Sequence, residues 1–132
     1  MGEGAVLGFE AIFLPGKRRA GEMRRLTAAH LHIWGLGRLA GDVTLVVSEL
    51  VTNAIEYGEG SPVGLRVTRA AHELCVEVTD GNPEPARSPS PSDLAENGRG
   101  LLIVAALAQQ WDVSNDGKTT WCRFHLPAGR AR

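Results

Sequence analysis

Apolar and polar residues alternate in five short segments of the chain, which is the period expected of strands with one buried face. These segments are 6–14, 62–70, 72–80, 110–114 and 119–126. The second and third are close enough in sequence to form a hairpin. Asn115, Asp116 and Gly117 separate the last two and predict a second hairpin turn.

Three other segments carry apolar residues at helical spacing. The first covers residues 21–34, where Met23, Leu26, His30 and either Ile33 or Trp34 recur on one face. The third covers residues 100–107, an apolar run that is typical of a buried helix. The chain therefore mixes helices and strands in one α/β arrangement.

The second helical segment is the best defined. Asp42 is a good N-cap residue, and Gly58 is a natural terminator. Between them, one face carries Val43, Val46, Val47, Leu50, Val51 and Ala54. We expect this helix to pack directly on the core.

Residues 82–97 contain prolines, serines and acidic residues that support neither a strand nor an apolar helix face. Internal loops of this length are uncommon in compact domains unless they bind ligands or act as lids. We therefore expect a functional loop here, inside a single domain that spans residues 1–132.

Composition and charge narrow the possible functions. The 132 residues carry a net charge of -1, which removes the electrostatic argument for direct nucleic-acid binding. No apolar stretch is long enough to cross a membrane, and a cytoplasmic protein is expected. Arginine outnumbers lysine, and alanine and glycine are abundant, which hints at a GC-rich bacterial coding sequence. Cys75 and Cys122 lack metal-ligand spacing and are interpreted as reduced core residues, and the histidines suggest no zinc site.

Glu49 and Asn53 form a polar pair on the second helix, because residues four apart lie on the same face. A carboxylate can orient or deprotonate a hydroxyl group, and an amide oxygen suits magnesium that already holds phosphate oxygens. A solvated helix face would have the same appearance. The pair alone leaves both interpretations open.

Asp80 and Gly81 lie where the strand 72–80 ends. A carboxylate there could accept a hydrogen bond from an exocyclic amine such as that of adenine, and glycine would let a ring approach the backbone. Asp-Gly is also an ordinary turn sequence. Without context, the turn is the simpler interpretation.

Gly98, Arg99, Gly100 and Leu101 follow the long loop and open the third helix. Amides at a helix start, with arginine beside them, favour a phosphate group. A flexible hinge is an equally good interpretation. A dinucleotide fingerprint fits poorly, since no strand directly precedes these glycines.

The segment Gly117-Lys118-Thr119 is similar to the end of a P-loop, but Asp112 stands where the first glycine is required. The segment also leads into a strand and not into a helix. We interpret it as the exit of a hairpin.

Four motifs in order resemble one family, the anti-sigma-factor serine kinases, which are bacterial relatives of histidine kinases and gyrases. The motifs are S-E-L-V-T-N-A-I-E-Y-G at 48–58, T-D-G-N-P at 79–83, G-R-G-L-L-I-V at 98–104 and G-K-T-T-W at 117–121. The resemblance extends from about residue 20 to residue 126. It implies a histidine kinase-like ATPase fold, a two-layer α/β sandwich with a mixed sheet and helices on one face.

The resemblance also implies magnesium and ATP as cofactors, held under a lid formed by residues 82–97. Glu49 corresponds to the catalytic carboxylate, Asn53 to the magnesium ligand and Asp80 to the adenine reader. The remaining cofactor-binding positions are Gly81, Gly98, Arg99, Gly100, Leu101 and, lining the adenine pocket, Thr120. Two departures concern Tyr57, where many members have histidine, and Asp80, which is followed by G-N-P in place of a fuller glycine pattern.

Relatives of this kind bind a sigma factor or a related regulator and phosphorylate a serine of an antagonist protein, often as homodimers. The resemblance thus implies an ATP-dependent serine kinase with protein partners. A non-catalytic nucleotide-binding module that sequesters a partner would use the same residues. The catalytic part of a histidine kinase is a weaker alternative, because the chain is too short to include a phosphoacceptor helix pair as well.

Overall fold

The structure is a computed structural model that describes residues 7–81 and 98–127, without the side chains of residues 98–101. Five strands and three helices follow the predicted order closely. The strands are β1 Leu7–Phe13, β2 Val63–Arg69, β3 Glu73–Asp80, β4 Gln110–Val113 and β5 Thr119–His125. The helices are α1 Arg19–Ile33, α2 Ala40–Tyr57 and α3 Gly98–Leu107, with a short 3-10 helix Gly37–Leu39 before α2.

The strands form one sheet in the order β1-β2-β3-β5-β4, and every neighbouring pair is antiparallel. The α/β fold is confirmed, but the expectation of a mixed sheet needs correction. β3 and β4 run in the same direction, with α3 in the connection between them. Because β5 lies between these two strands, no parallel pair is formed among the described residues.

All three helices lie on one face of the sheet, as expected. Leu65, Val67 and Val76 point toward them and are fully buried, as are Val47 and other apolar residues of α2. α1 covers the β1 side, where the rings of its His30 and Trp34 lie 4.2 and 6.3 Å from that of Phe9. This single core fixes α2 against the strands that carry the candidate site.

The opposite face of the sheet is covered by polar side chains. Arg66 lies 3.4 Å from a Glu10 carboxylate oxygen and 3.8 Å from one of Glu77. Cys75 also lies on this face and is half-buried, so its interpretation as a core residue was wrong. Cys122 is fully buried in the core, as predicted, and both thiols are free.

Two details of the helices also differ from prediction. In α1, Met23 is buried and Leu26 and Trp34 pack partly buried against the core, as predicted, but Thr27 and Leu31 are also buried and Ile33 is 77 % exposed. α2 begins at Ala40, so Asp42 is not its N-cap but lies in the first turn. The preceding 3-10 helix runs straight into α2, and a carboxylate in the first turn still stabilises the positive end of a helix. Within residues 7–81 and 98–127, no helix has the length and apolar character needed to cross a membrane.

Candidate functional site

The polar pair of α2 lies beside the core. Glu49 and Asn53 are both half-buried, while Leu50 and Val51 next to them face the sheet. Among the described residues, neither polar side chain makes a hydrogen bond or an ion pair. Half-buried polar groups usually find partners. Glu49 and Asn53 therefore have the hydrogen-bonding capacity that a ligand could use.

The C-terminal end of α2 meets the end of β3 at Gly58 and Asp80. A Cβ at position 58 would lie 3.5 Å from the Asp80 Cβ and only 2.6 Å from the Ala54 carbonyl oxygen. Asp80 pairs with Val63 in the sheet register and lies on the side that faces the helices. The absent Cβ of glycine thus lets β3 deliver a carboxylate to the last turn of α2.

Because an α-helix rises about 1.5 Å per residue, Asn53 and Glu49 lie roughly 8 and 14 Å along the axis from Gly58. Along this axis, the order of the three polar residues is therefore Asp80, Asn53 and Glu49. An elongated ligand with an amine at one end and anionic groups toward the other would match this order.

Gly81, which directly follows β3, also lies close to a neighbouring backbone segment, at Pro62. Its amide donates a hydrogen bond to the Pro62 carbonyl at 2.8 Å. A Cβ on Gly81 would lie 2.9 Å from that same oxygen. The backbone just after Asp80 is therefore held against the start of β2.

Thr120 is half-buried on β5, where its register partners are Val78 of β3 and Val113 of β4. Val78 is buried on the helix-facing side, so Thr120 lies on that side as predicted. Its hydroxyl group is in the layer between sheet and helices, two residues along the sheet from Asp80.

The predicted phosphate segment forms the start of α3, which begins at Gly98. The first amides of an α-helix have no acceptor within the helix and carry the positive end of its dipole. Gly98, Gly100 and Leu101 therefore supply backbone donors suited to an anion. The side chain of Arg99 and the predicted lid, residues 82–97, lie outside the described part of the structure.

No group of three or more His, Cys, Asp or Glu side chains in the described ranges could hold a metal ion. Magnesium, however, is commonly bound by one or two protein ligands together with substrate phosphates. Asn53 with an adjacent nucleotide fits that mode, whereas a dedicated protein cage does not.

The sequence analysis did not predict one contact at the site. The Asp80 amide donates a hydrogen bond to the Lys118 carbonyl at 3.0 Å. Lys118 was interpreted only as part of a hairpin exit, and its link to Asp80 follows from the β3–β5 register. No local pattern indicates such a long-range pairing.

Comparisons with known proteins agree with the α/β fold. The family model of the histidine kinase-like ATPase domain matches residues 14–124, which include the three helices and four of the five strands, while β1 precedes the match. The chain is also 34% identical over 87 residues to an uncharacterized protein of Streptomyces coelicolor. That match covers 63% of this chain and 82% of the relative.

Proposed function

Because the chain belongs to the family of histidine kinase-like ATPase domains, we propose that it binds magnesium and ATP between the helices and the sheet. The observation that carries this proposal is the approach of α2 to β3 at Gly58, which brings Asp80 to the last turn of the helix that carries Asn53 and Glu49. A nucleotide has its base amine and its phosphates at opposite ends, which matches the order of these residues along the helix axis.

Each candidate residue has a role that its chemistry supports. The Asp80 carboxylate accepts a hydrogen bond from the adenine amine, while Gly81 and Thr120 line the base pocket. The first turn of α3, from Gly98 to Leu101 and including Arg99, binds phosphate oxygens through its amides and its charge. The Asn53 amide oxygen is a magnesium ligand.

We further propose that the domain is a serine kinase of the anti-sigma-factor type. Bound magnesium and ATP supply a transferable γ-phosphoryl group, and this chemistry depends mainly on positioning and charge neutralisation. Glu49 would orient or deprotonate the serine hydroxyl of an antagonist protein. The ordered motifs at 48–58, 79–83, 98–104 and 117–121 support this assignment.

The same motifs support the wider context of the proposal. The domain would act in the cytoplasm, as a homodimer, and would sequester a sigma factor or a related regulator until the antagonist changes its phosphorylation state. Residues 82–97 would close over the nucleotide. None of these roles requires direct contact with nucleic acid.

Calorimetric titration with ATP, with and without magnesium, tests the binding site. Asn53→Ala should weaken magnesium-dependent binding about tenfold or more, a loss of about 1.4 kcal/mol or more. Thr52→Ala is the matched control, because Thr52 is the preceding residue of α2 and is exposed. Equal affinities of the two variants would refute the assignment of Asn53.

Transfer of labelled γ-phosphate to candidate antagonist proteins tests catalysis. Glu49→Gln should abolish transfer while ATP binding persists, since the amide keeps the shape but is not a base. If wild type binds ATP and transfers phosphate to no antagonist, and both proteins still capture a regulator, the domain is a non-catalytic module that sequesters its partner.

A further inference from the structure

The turn between β4 and β5 is closed by several backbone and side-chain hydrogen bonds. The Ser114 amide donates to the Thr119 carbonyl and the Gly117 amide donates to the Ser114 carbonyl, both at 2.8 Å. Gly117 has a φ of 74°, a conformation that glycine adopts without strain. These bonds close the turn into one compact unit.

The carboxylate of Asp116 accepts hydrogen bonds that stabilise this turn. Its Oδ1 accepts hydrogen bonds from the Ser114 hydroxyl at 2.6 Å and from the Lys118 amide at 3.0 Å. The Ser114 hydroxyl oxygen in turn accepts the Thr119 amide at 3.1 Å. The hydrogen bond from Ser114, and next that from the Lys118 amide, lower the pKa of Asp116. The ionised carboxylate is thus the form that the turn favours.

The same turn reaches the candidate site through Lys118. The Lys118 amide is held by Asp116, and the Lys118 carbonyl accepts the amide of Asp80. Beside it, the hydroxyl oxygens of Thr79 and Thr119 lie 2.9 Å apart. On its other side, the chain after Asp80 is tied to β2 by the hydrogen bond of Gly81 to Pro62. The peptide of Asp80 is therefore fixed from two strands.

We infer that Asp116 is a positioning residue that sets the backbone of Asp80 and thereby determines selectivity for adenine. The inference rests on the proposed function, because it takes Asp80 to accept the adenine amine. Hydrogen bonds weaken steeply with misalignment, so the carboxylate discriminates only if its backbone is held. Inosine has a carbonyl oxygen where adenine has the amine, and that oxygen cannot donate to Asp80.

Binding of magnesium-ATP and magnesium-ITP should be measured by calorimetry on the full chain. We expect wild type to prefer ATP, because sites built around a substrate hydrogen bond reject analogues that lack it. Asp116→Ala should weaken ATP binding about three- to tenfold, the value of one hydrogen bond, and leave ITP binding nearly unchanged. The preference for ATP should therefore fall by the same factor.

Two further variants separate positioning from a general loss of structure. Asp116→Asn keeps an oxygen acceptor at Oδ1 and should restore most of the ATP preference. Asp112→Ala removes an exposed carboxylate of β4 whose one hydrogen bond among the described residues is from the adjacent Val113 amide, at 2.7 Å, and should leave the preference intact. Thermal unfolding should show that all three variants remain folded.

A measurement without nucleotide tests the coupling directly. Hydrogen exchange of the Asp80 amide should be about tenfold faster in Asp116→Ala than in Asp112→Ala, because local opening costs less once its acceptor is mobile. Unchanged exchange, or equal losses of ATP and ITP affinity in Asp116→Ala, would overturn the inference alone. A wild-type protein that binds neither nucleotide would overturn the proposed function, and the adenine assignment with it.

Discussion

Gly58→Ala is the substitution whose effect on both stability and binding is best determined by the structure. A Cβ at this position would lie 2.6 Å from the Ala54 carbonyl oxygen, a backbone atom that cannot rotate away. It would also lie 3.4 Å from the Ser61 hydroxyl oxygen and 3.5 Å from the Asp80 Cβ. The backbone angles of Gly58, φ -82° and ψ -6°, are open to alanine, so the conflict is purely one of packing.

Overpacking of this kind costs about 1–3 kcal/mol. With an unfolding entropy of about 2.1 cal/mol/K per residue, each kcal/mol lowers the Tm of a 132-residue chain by roughly 4 °C. Gly58→Ala should therefore lower the Tm by about 4–11 °C. Because relief of the contact displaces α2 from Asp80, ATP affinity should also fall about tenfold, equivalent to about 1.4 kcal/mol.

Gly41→Ala is the matched control, because it makes the same change near the other end of α2. A Cβ at Gly41 meets nothing within 4 Å, and alanine in a helix should stabilise the fold by about 0.5–1 kcal/mol. Calorimetry and thermal unfolding of both variants provide the comparison. An unchanged Tm and unchanged ATP affinity in Gly58→Ala would refute the claim that this glycine joins α2 to the end of β3 at Asp80.

Other predictions concern the cysteines and Gly81. Burial raises the pKa of the Cys122 thiol to about 12, well above the 9.0 of an unfolded thiol. The stability contributed by the protonated thiol is complete below pH 9 and is lost as the pH rises toward 12. Between about pH 9 and 10.5, the free energy of unfolding of the wild type, measured with urea, should therefore fall about 2 kcal/mol more than that of Cys122→Val. A thiol reagent at about pH 8 should modify the half-buried Cys75 first, slowed by its raised pKa, and reach Cys122 only on unfolding. In Gly81→Ala, the new Cβ would lie 2.9 Å from the Pro62 oxygen. This substitution should cost more free energy of ATP binding, measured by calorimetry, than free energy of unfolding, measured from the Tm.

The periodicity of the sequence was sufficient to predict most of the fold. The strands alternate because one face is buried and the other is polar, and α2 shows its core face in six apolar residues. The prediction was less accurate in α1, where more than one set of residues at helical spacing could have formed the core face. In α1, Thr27 and Leu31 are buried beside Met23, and Ile33 is exposed while Trp34 packs against the core, so the choice between Ile33 and Trp34 depends on tertiary packing.

Comparing the predicted with the observed positions also explains which contacts of the candidate site could be predicted from the sequence. Glu49 and Asn53 share a helix, so their proximity follows from helical geometry alone. The meeting of Gly58 with Asp80 depends instead on how α2 crosses β3, which is a property of the packed core. Motif order could suggest that meeting only through resemblance to a family.

The link from Asp116 to Asp80 is a third kind of contact, because it depends on strand register. A shift of one residue between β3 and β5 would move Thr120 to the opposite face and remove the Lys118 carbonyl from the Asp80 amide. The turn at Asp116 fixes the register of β4 and β5, and it also holds Lys118, whose carbonyl accepts the Asp80 amide. If Asp80 accepts the adenine amine as proposed, a residue on the exposed side of a turn can therefore influence which base binds.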